Sequence, residues 1–255
     1  MTTRRPPAGT PAGLRALGTR LSLVVLVSVP AFLIVALIAV AVEGSWAPLR
    51  RVDGSASQHM HLLALNHPLW VRTMLIVSDV GSPTVMRALV VVLAVVLWLR
   101  RAHRLALWAA VTLAGGALID VVLKAAVGRA RPHFVHPVAL APGGSFPSGH
   151  AFTSALAAGV VLLWALPLLS RRGKVAAWVL AVLVPLLVGV SRVALGVHWV
   201  TDVVGGWLLG AGLVAATSAA FETWRQRSGL RRTRPATEGV APEETQKAAN
   251  PGETA

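Results

Sequence analysis

Cysteine is missing from all 255 residues, and acid is scarce, with 10 Asp and Glu against 24 Lys and Arg. Without thiols, disulfides, thiolate metal sites and a cysteine nucleophile are excluded. Charged residues of both signs make up 13% of the chain, about half the share of an ordinary soluble protein, while 55% is hydrophobic. A soluble domain of this length needs a charged skin that this composition does not supply, so the chain reads as an integral membrane protein. A net charge of +14 would favour nucleic acid in a soluble protein. In a membrane protein the same excess is the bias of Lys and Arg toward one side, and no nucleic-acid partner is expected.

Nearly uncharged apolar windows, able to cross a hydrocarbon core of roughly 30 Å as helices, occur at Leu21 to Val42, Pro83 to Leu99, Leu105 to Leu123, Ala151 to Leu169, Val175 to Val190 and Val203 to Phe221. The expected fold is therefore all-α and polytopic, with six transmembrane helices. Barrel strands are excluded because the windows lack a two-residue alternation. Pro30, Pro167 and Pro185 predict kinks. The first window follows arginines but is too long for a signal-peptide core, and it reads as a retained anchor. Residues 1–20 form a disordered basic head, 21–221 the membrane domain and 222–255 a disordered cytoplasmic tail. Between the first two windows, residues of about 55–80 mix apolar and polar positions and predict an interfacial amphipathic helix. Trp98, Trp108, Trp164 and Trp178 fall at window ends and read as belt residues.

Counting Lys and Arg sets the orientation. One side holds the head, Arg100, Arg101, Arg104, Arg171, Arg172, Lys174 and the tail, 16 in all. The other holds 8: Arg50, Arg51, Arg72, Arg87, Lys124, Arg129, Arg131 and Arg192. The positive-inside rule makes the first side cytoplasmic, with both termini inside.

The outer side then collects polar residues at window ends: Lys124, Arg131 and Pro132; the segment SFPSGH from Ser145 to His150; Ser191 and Arg192; His198 and Asp202. Each has a role if the ligand is a phosphate. Lys124, Arg131 and Arg192 neutralise a phosphoryl group, the arginines with forked contacts. Gly149 lets the backbone come close, and a helix N-terminus offers amides to an anion. Asp202, one helical turn after His198, can hold one imidazole nitrogen and leave the other to attack. His150 lacks such a partner, which suits a general acid.

In these residues the chain resembles the type 2 phosphatidic acid phosphatase (PAP2) superfamily, whose core is shared with vanadium haloperoxidases. The matching blocks are KAAVGRARP (Lys124 to Pro132), PSGH (Pro147 to His150) and SRVALGVHWVTD (Ser191 to Asp202), in family order and spacing. The resemblance implies that His198 is the nucleophile and forms a phosphohistidine, that Asp202 orients it, and that His150 protonates the leaving group. It also implies that Lys124, Arg131, Ser148, Gly149 and Arg192 bind phosphate. The expected activity is hydrolysis of a phosphomonoester or pyrophosphate on a membrane lipid, of phosphatidate, phosphatidylglycerol phosphate or polyprenyl pyrophosphate type, at the outer face of the cytoplasmic membrane. The partners are that substrate and the bilayer, with no metal and no cofactor.

Alternatives are a phosphotransferase, a non-catalytic lipid-binding or lipid-translocating protein of the same fold, and a vanadate haloperoxidase, whose relatives are soluble. Arg129, which the pattern does not fix, reads as a snorkelling anchor, and Asp120 as hydrogen-bonded within the bundle. His59, His61, His67 and Asp79 read as interfacial, and His133 and His136 as solvated.

Overall fold

Lipid offers no hydrogen bonds to a backbone, so a spanning segment must pair its own amides and carbonyls, and a helix does this within one stretch of chain. The computed structural model describes residues 28–228, and every regular element in that range is helical. The predicted head, the start of the first window and most of the tail lie outside the described residues. The helices are α1 (Ser28–Glu43), α2 (Ala47–Asn66), α3 (Pro68–Val80), α4 (Pro83–Leu99), α5 (His103–Val127), α6 (Gly149–Ala165), α7 (Arg171–Ala194) and α8 (Val200–Arg227).

Local sequence explains the boundaries. Proline opens α3 and α4, where a missing amide costs nothing. The Ser82 hydroxyl accepts from the Val85 amide at 3.4 Å and the Ser170 hydroxyl from Gly173 at 3.3 Å, capping α4 and α7. Pro167 falls in a 3₁₀ turn, Leu166–Leu168, that ends α6, whereas Pro185 lies inside an α7 that continues through it. The third, fifth and sixth predicted spans each sit inside a longer helix, whereas the fourth, Ala151 to Leu169, outruns α6, which ends at Ala165. Hydropathy trims a helix where Lys124, Arg171 or Arg192 begins, but the backbone pairing runs on.

Five helical runs among the described residues are long and apolar enough to cross a membrane: Pro68–Leu99, His103–Val127, Gly149–Leu168, Arg171–Ala194 and Val200–Arg225. A sixth arises if α1 and α2, which meet at 90°, count as one broken span. The sequence places an interfacial helix at about 55–80, and the structure divides that segment at His67. Its first part belongs to α2, while α3 joins α4 in the run Pro68–Leu99 of 32 residues. At 1.5 Å per residue this run is about 48 Å long, well beyond the hydrocarbon core.

The α2 helix turns a polar row inward. Asp53, Ser57 and His61, with Leu49 and Ala64, at steps of three or four, are buried, whereas Val52, Leu62 and Leu65 are exposed alongside Arg50, Arg51, Gln58 and His59.

The centre of the bundle is α6, packed against α4, α5, α7 and α8, with Phe152, Leu156, Ala157 and Val160 fully buried. Its approach to α8 is close because Gly206 and Gly210, four residues apart, face it. A β-carbon at Gly206 would lie 2.8 Å from the Ser148 carbonyl, and one at Gly210 2.7 Å from that of Phe152. Trp98 and Trp178 are exposed as belt residues should be, but Trp108 is buried in the core, because it lies on the inward side of α5.

Candidate active site

Three chain segments clasp one another at one end of the bundle. Gly128, in the left-handed conformation (φ +55°), ends α5 and turns Arg129 and Arg131 back over the helix ends. The Ser145 amide donates to the Arg129 carbonyl (2.8 Å) and the Ser145 hydroxyl to the Ala130 carbonyl (3.1 Å), joining this turn to the start of α6. The Trp199 indole reaches the same Ala130 carbonyl at 2.8 Å. The Ser148 amide donates to the Asp202 carbonyl at 3.0 Å and ties α6 to α8. That amide is therefore taken, and the anion-facing amides foreseen at this helix start are those of the residues that follow, which have no partner within the helix.

His198 is buried and faces two groups. Its Nε2 lies 3.0 Å from Arg131 Nη1, and its Nδ1 lies 3.4 Å from Asp202 Oδ2. A guanidinium can only donate, so Nε2 is the acceptor and the ring proton sits on Nδ1, toward the carboxylate. Burial pushes the ring down to about 4, against the hydrogen bond and charge of Asp202, which pull it up, and with Arg131 and Arg192 lowering it further. At neutral pH the ring is uncharged, with a lone pair on Nε2. Asp202 also accepts from the Trp199 amide at 2.9 Å, a carboxylate reaching back to the first amide of its own helix, so it fixes the start of α8 and the histidine together.

The Arg131 guanidinium is caged. Nε donates to Gly143 O (3.0 Å), Nη1 to Val197 O (2.7 Å), and Nη2 to Pro142 O (2.9 Å) and Gly144 O (3.1 Å). With His198 these acceptors match its five donors. Burial lowers its pKa, opposed by Asp202. Lys124 Nζ sits 2.8 Å from both oxygens of Asp120, whose Oδ2 is 3.8 Å from Arg87. The same ammonium lies 2.8 Å from where a β-carbon of Gly149 would stand, so only glycine lets the start of α6 lie against it. Arg192 Nη1 donates to Ser78 Oγ of α3, and its Nε is buried without a partner. Ser148 Oγ is likewise buried and unpartnered. His150 is half-buried, within electrostatic reach of Arg192, His198, Lys124 and Arg131.

All eight residues singled out from sequence thus stand at one end of the bundle. Ser191 does not join them, since its hydroxyl turns back to the Val188 carbonyl at 2.7 Å. His61 is buried and stacked on Phe134 at 3.9 Å, not simply interfacial, while His59, His67, Asp79, His133 and His136 are exposed.

Arg129 is not a snorkelling anchor, for Nη1 is 2.6 Å from Asp202 Oδ1 and Nη2 is 2.7 Å from Asp53 Oδ2. Asp53 and Asp120 bring two further carboxylates to this end. Nothing near Asp53 in sequence marks it, although its place in the Asp53, Ser57, His61 row at helical spacing is a usable signal. Each carboxylate is engaged by a cation, and among the described residues no group of three or more His, Asp or Glu is placed to hold a metal ion.

Fold and site together define a membrane-embedded helical bundle with a cationic, histidine-bearing cluster at one end, and residues 105–226, just under half of the chain, match the PAP2 superfamily model. Among relatives, a phosphatidylglycerophosphatase B of Bacillus subtilis (strain 168) is 44% identical over 96 residues, 36% of this chain and 46% of that protein. An undecaprenyl-diphosphatase of Sulfolobus acidocaldarius is 31% identical over 125 residues, 47% of this chain and 57% of that protein. The chain thus spans about half the length of these curated relatives. The crystal structure of a transmembrane PAP2-type phosphatidylglycerolphosphate phosphatase from Bacillus subtilis matches with a TM-score of 0.70 at 28% identity, covering 82% of this chain and 99% of that one.

Proposed function

We propose that this protein is a lipid phosphate phosphatase that removes a phosphomonoester or pyrophosphate group from a membrane lipid through a phosphohistidine. The observation that carries the reading is the disposition of His198. Its proton faces Asp202 and its lone pair faces Arg131, beside a cluster of cations where two buried donors, Ser148 Oγ and Arg192 Nε, lack partners. A phosphoryl group would satisfy them, and buried polar groups are seldom left unpaired.

In the first displacement Arg131 Nη1 passes from His198 Nε2 to a phosphoryl oxygen, Nε2 forms a bond to phosphorus, the bond to the lipid oxygen breaks, and His150 gives that oxygen a proton. Asp202 stabilises the charge that builds on the imidazole, and Arg131, Lys124 and Arg192 that on the phosphoryl oxygens. In the second, His150 takes a proton from water, whose oxygen attacks phosphorus as the bond to His198 breaks. With this positive charge in place, the reaction needs no metal. The relatives named for phosphatidylglycerophosphate and undecaprenyl diphosphate support a lipid substrate of those types.

Purified protein in detergent, assayed for phosphate release against phosphatidate, phosphatidylglycerol phosphate and undecaprenyl pyrophosphate, tests the reading. At least one lipid should turn over in excess chelator, and none with His198→Ala. No turnover of any of them by the wild type would overturn it.

We place the site on the outer face of the cytoplasmic membrane, from the Lys and Arg bias. A cysteine at Leu140, an exposed residue in the loop before α6, should react with an impermeant thiol reagent outside intact cells, and one at Arg172 only after lysis. The reverse pattern would put the site in the cytoplasm.

A further inference from the structure

Asp202 has two sides. One oxygen, Oδ2, faces His198 and the Trp199 amide; the other, Oδ1, is 2.6 Å from Arg129 Nη1. Arg129 in turn reaches across to α2, where Asp53 Oδ2 accepts from Nη2 at 2.7 Å. Thr201, next to Asp202, closes the figure. Its hydroxyl donates to Asp53 Oδ2 (2.6 Å) and accepts from Arg129 Nη1 (2.8 Å), and its amide donates to Asp53 Oδ1 (3.0 Å). Both carboxylates are almost wholly buried and the guanidinium nearly so, with side-chain exposures of 1% for Asp53, 0% for Asp202 and 10% for Arg129.

We propose that Arg129 and Asp53 are positioning residues for the reaction, acting through Asp202 and without touching the substrate. The inference rests on the phosphatase reading above. Arg129 lies between two buried carboxylates that would otherwise face each other with no counter-charge. Its fork fixes the plane of the Asp202 carboxylate, and with it the oxygen that faces His198. Asp53 holds the far end of the guanidinium and the first turn of α8 at once, through Thr201. It stands on α2, outside the region that the superfamily model matches, so this site draws one of its supports from the inward polar face of the helix before the matched core.

The test compares kcat and KM for phosphatidylglycerol phosphate, or for whichever lipid of the panel turns over, in the full-length protein in detergent. The variants are Arg129→Met, Arg129→Lys, Asp53→Asn, Asp202→Asn and the double variant Arg129→Met with Asp202→Asn. Arg129→Met should lower kcat about 100-fold and leave KM within about threefold, since groups acting only through a neighbour do not add substrate affinity. Arg129→Lys, which restores charge without the fork, should recover part of the loss. The double variant should fall little below the worse single one, a coupling on the order of 10-fold or more.

Asp53→Asn keeps the shape and should lose about 10-fold in kcat, and it decides the matter if Arg129→Met does not fold. Wild-type turnover that survives in Arg129→Met, losses that multiply in the double variant, a loss confined to KM, or an unfolded Arg129→Met beside an unimpaired Asp53→Asn would each overturn the inference and leave the phosphatase reading standing. A wild type inactive on every lipid would remove both.

Discussion

Two clusters of carboxylates anchor cations at the same end of the bundle, and they do so in opposite styles. Asp120 holds Lys124 and Arg87 on its outer edge, where the lysine side chain is 29% and the arginine 41% exposed. Asp202 and Asp53 hold Arg129 in a setting with almost no solvent. In the first cluster Asp120 is buried but its cations are partly exposed, so Lys124 can turn toward an arriving anion while Arg87 stays beside the carboxylate. The second cannot move without stranding a buried charge. On the proposed mechanism the site would combine a yielding grip on the substrate with a fixed mount for the nucleophile.

Breaking the fixed mount should cost most. His198→Ala should leave no measurable phosphate release, and Asp202→Asn should lower kcat on the order of 1,000-fold or more, because an amide neither fixes the imidazole tautomer nor stabilises its cation as well. His150→Ala, which removes the proton donor but not the mount, should lose about 100-fold to 10,000-fold. That loss should shrink for lipids with better leaving groups, and pyrophosphate against monoester substrates measures it. On the yielding side, Asp120→Asn should change turnover by less than about tenfold, mostly in KM, because it frees a lysine that still carries its charge.

A fourth expectation concerns pH. His198 has an ordinary value of 6.5 and is held at about 4, so it stays neutral in the folded protein as pH falls through 6.5 and is protonated only near 4. The unfolded chain binds that proton earlier, so stability declines between 6.5 and 4 as pH falls. An NMR titration of labelled histidine rings, with His198 assigned by its loss in His198→Ala, should find the inflection well below 6. An inflection at 6.5 would mean that the ring is exposed and the mount is loose.

The helices were legible because apolar runs and their bounding charges are local facts. The grouping of the eight proposed site residues was legible because their three blocks share one end of the predicted spans, although His198 stands in the bend before α8 and not on a helical turn with Asp202. Asp53 and Arg129 were not. Their partners lie 76 and 73 positions apart in sequence, and no local pattern ties an acid on α2 to the turn after α5. Arg87 was a blemish in a predicted span until Asp120 appeared beside it. Ser191 shows the opposite error, since a hydroxyl near the site in sequence spends its hydrogen bond on its own helix.

The glycine pair on α8 acquires a second meaning from where its contacts fall. Gly206 touches the Ser148 carbonyl and the Phe152 amide, the backbone atoms that bracket His150. The distance between two helix axes therefore also bears on where His150 stands relative to the segment that carries His198. A single added methyl group at residue 206, chemically inert and not itself a reacting group, would act as a wedge between α8 and the first turn of α6. On the proposed mechanism it would lift the proton donor away from the nucleophile. The spacing of the two histidines would then be set by the absence of a side chain.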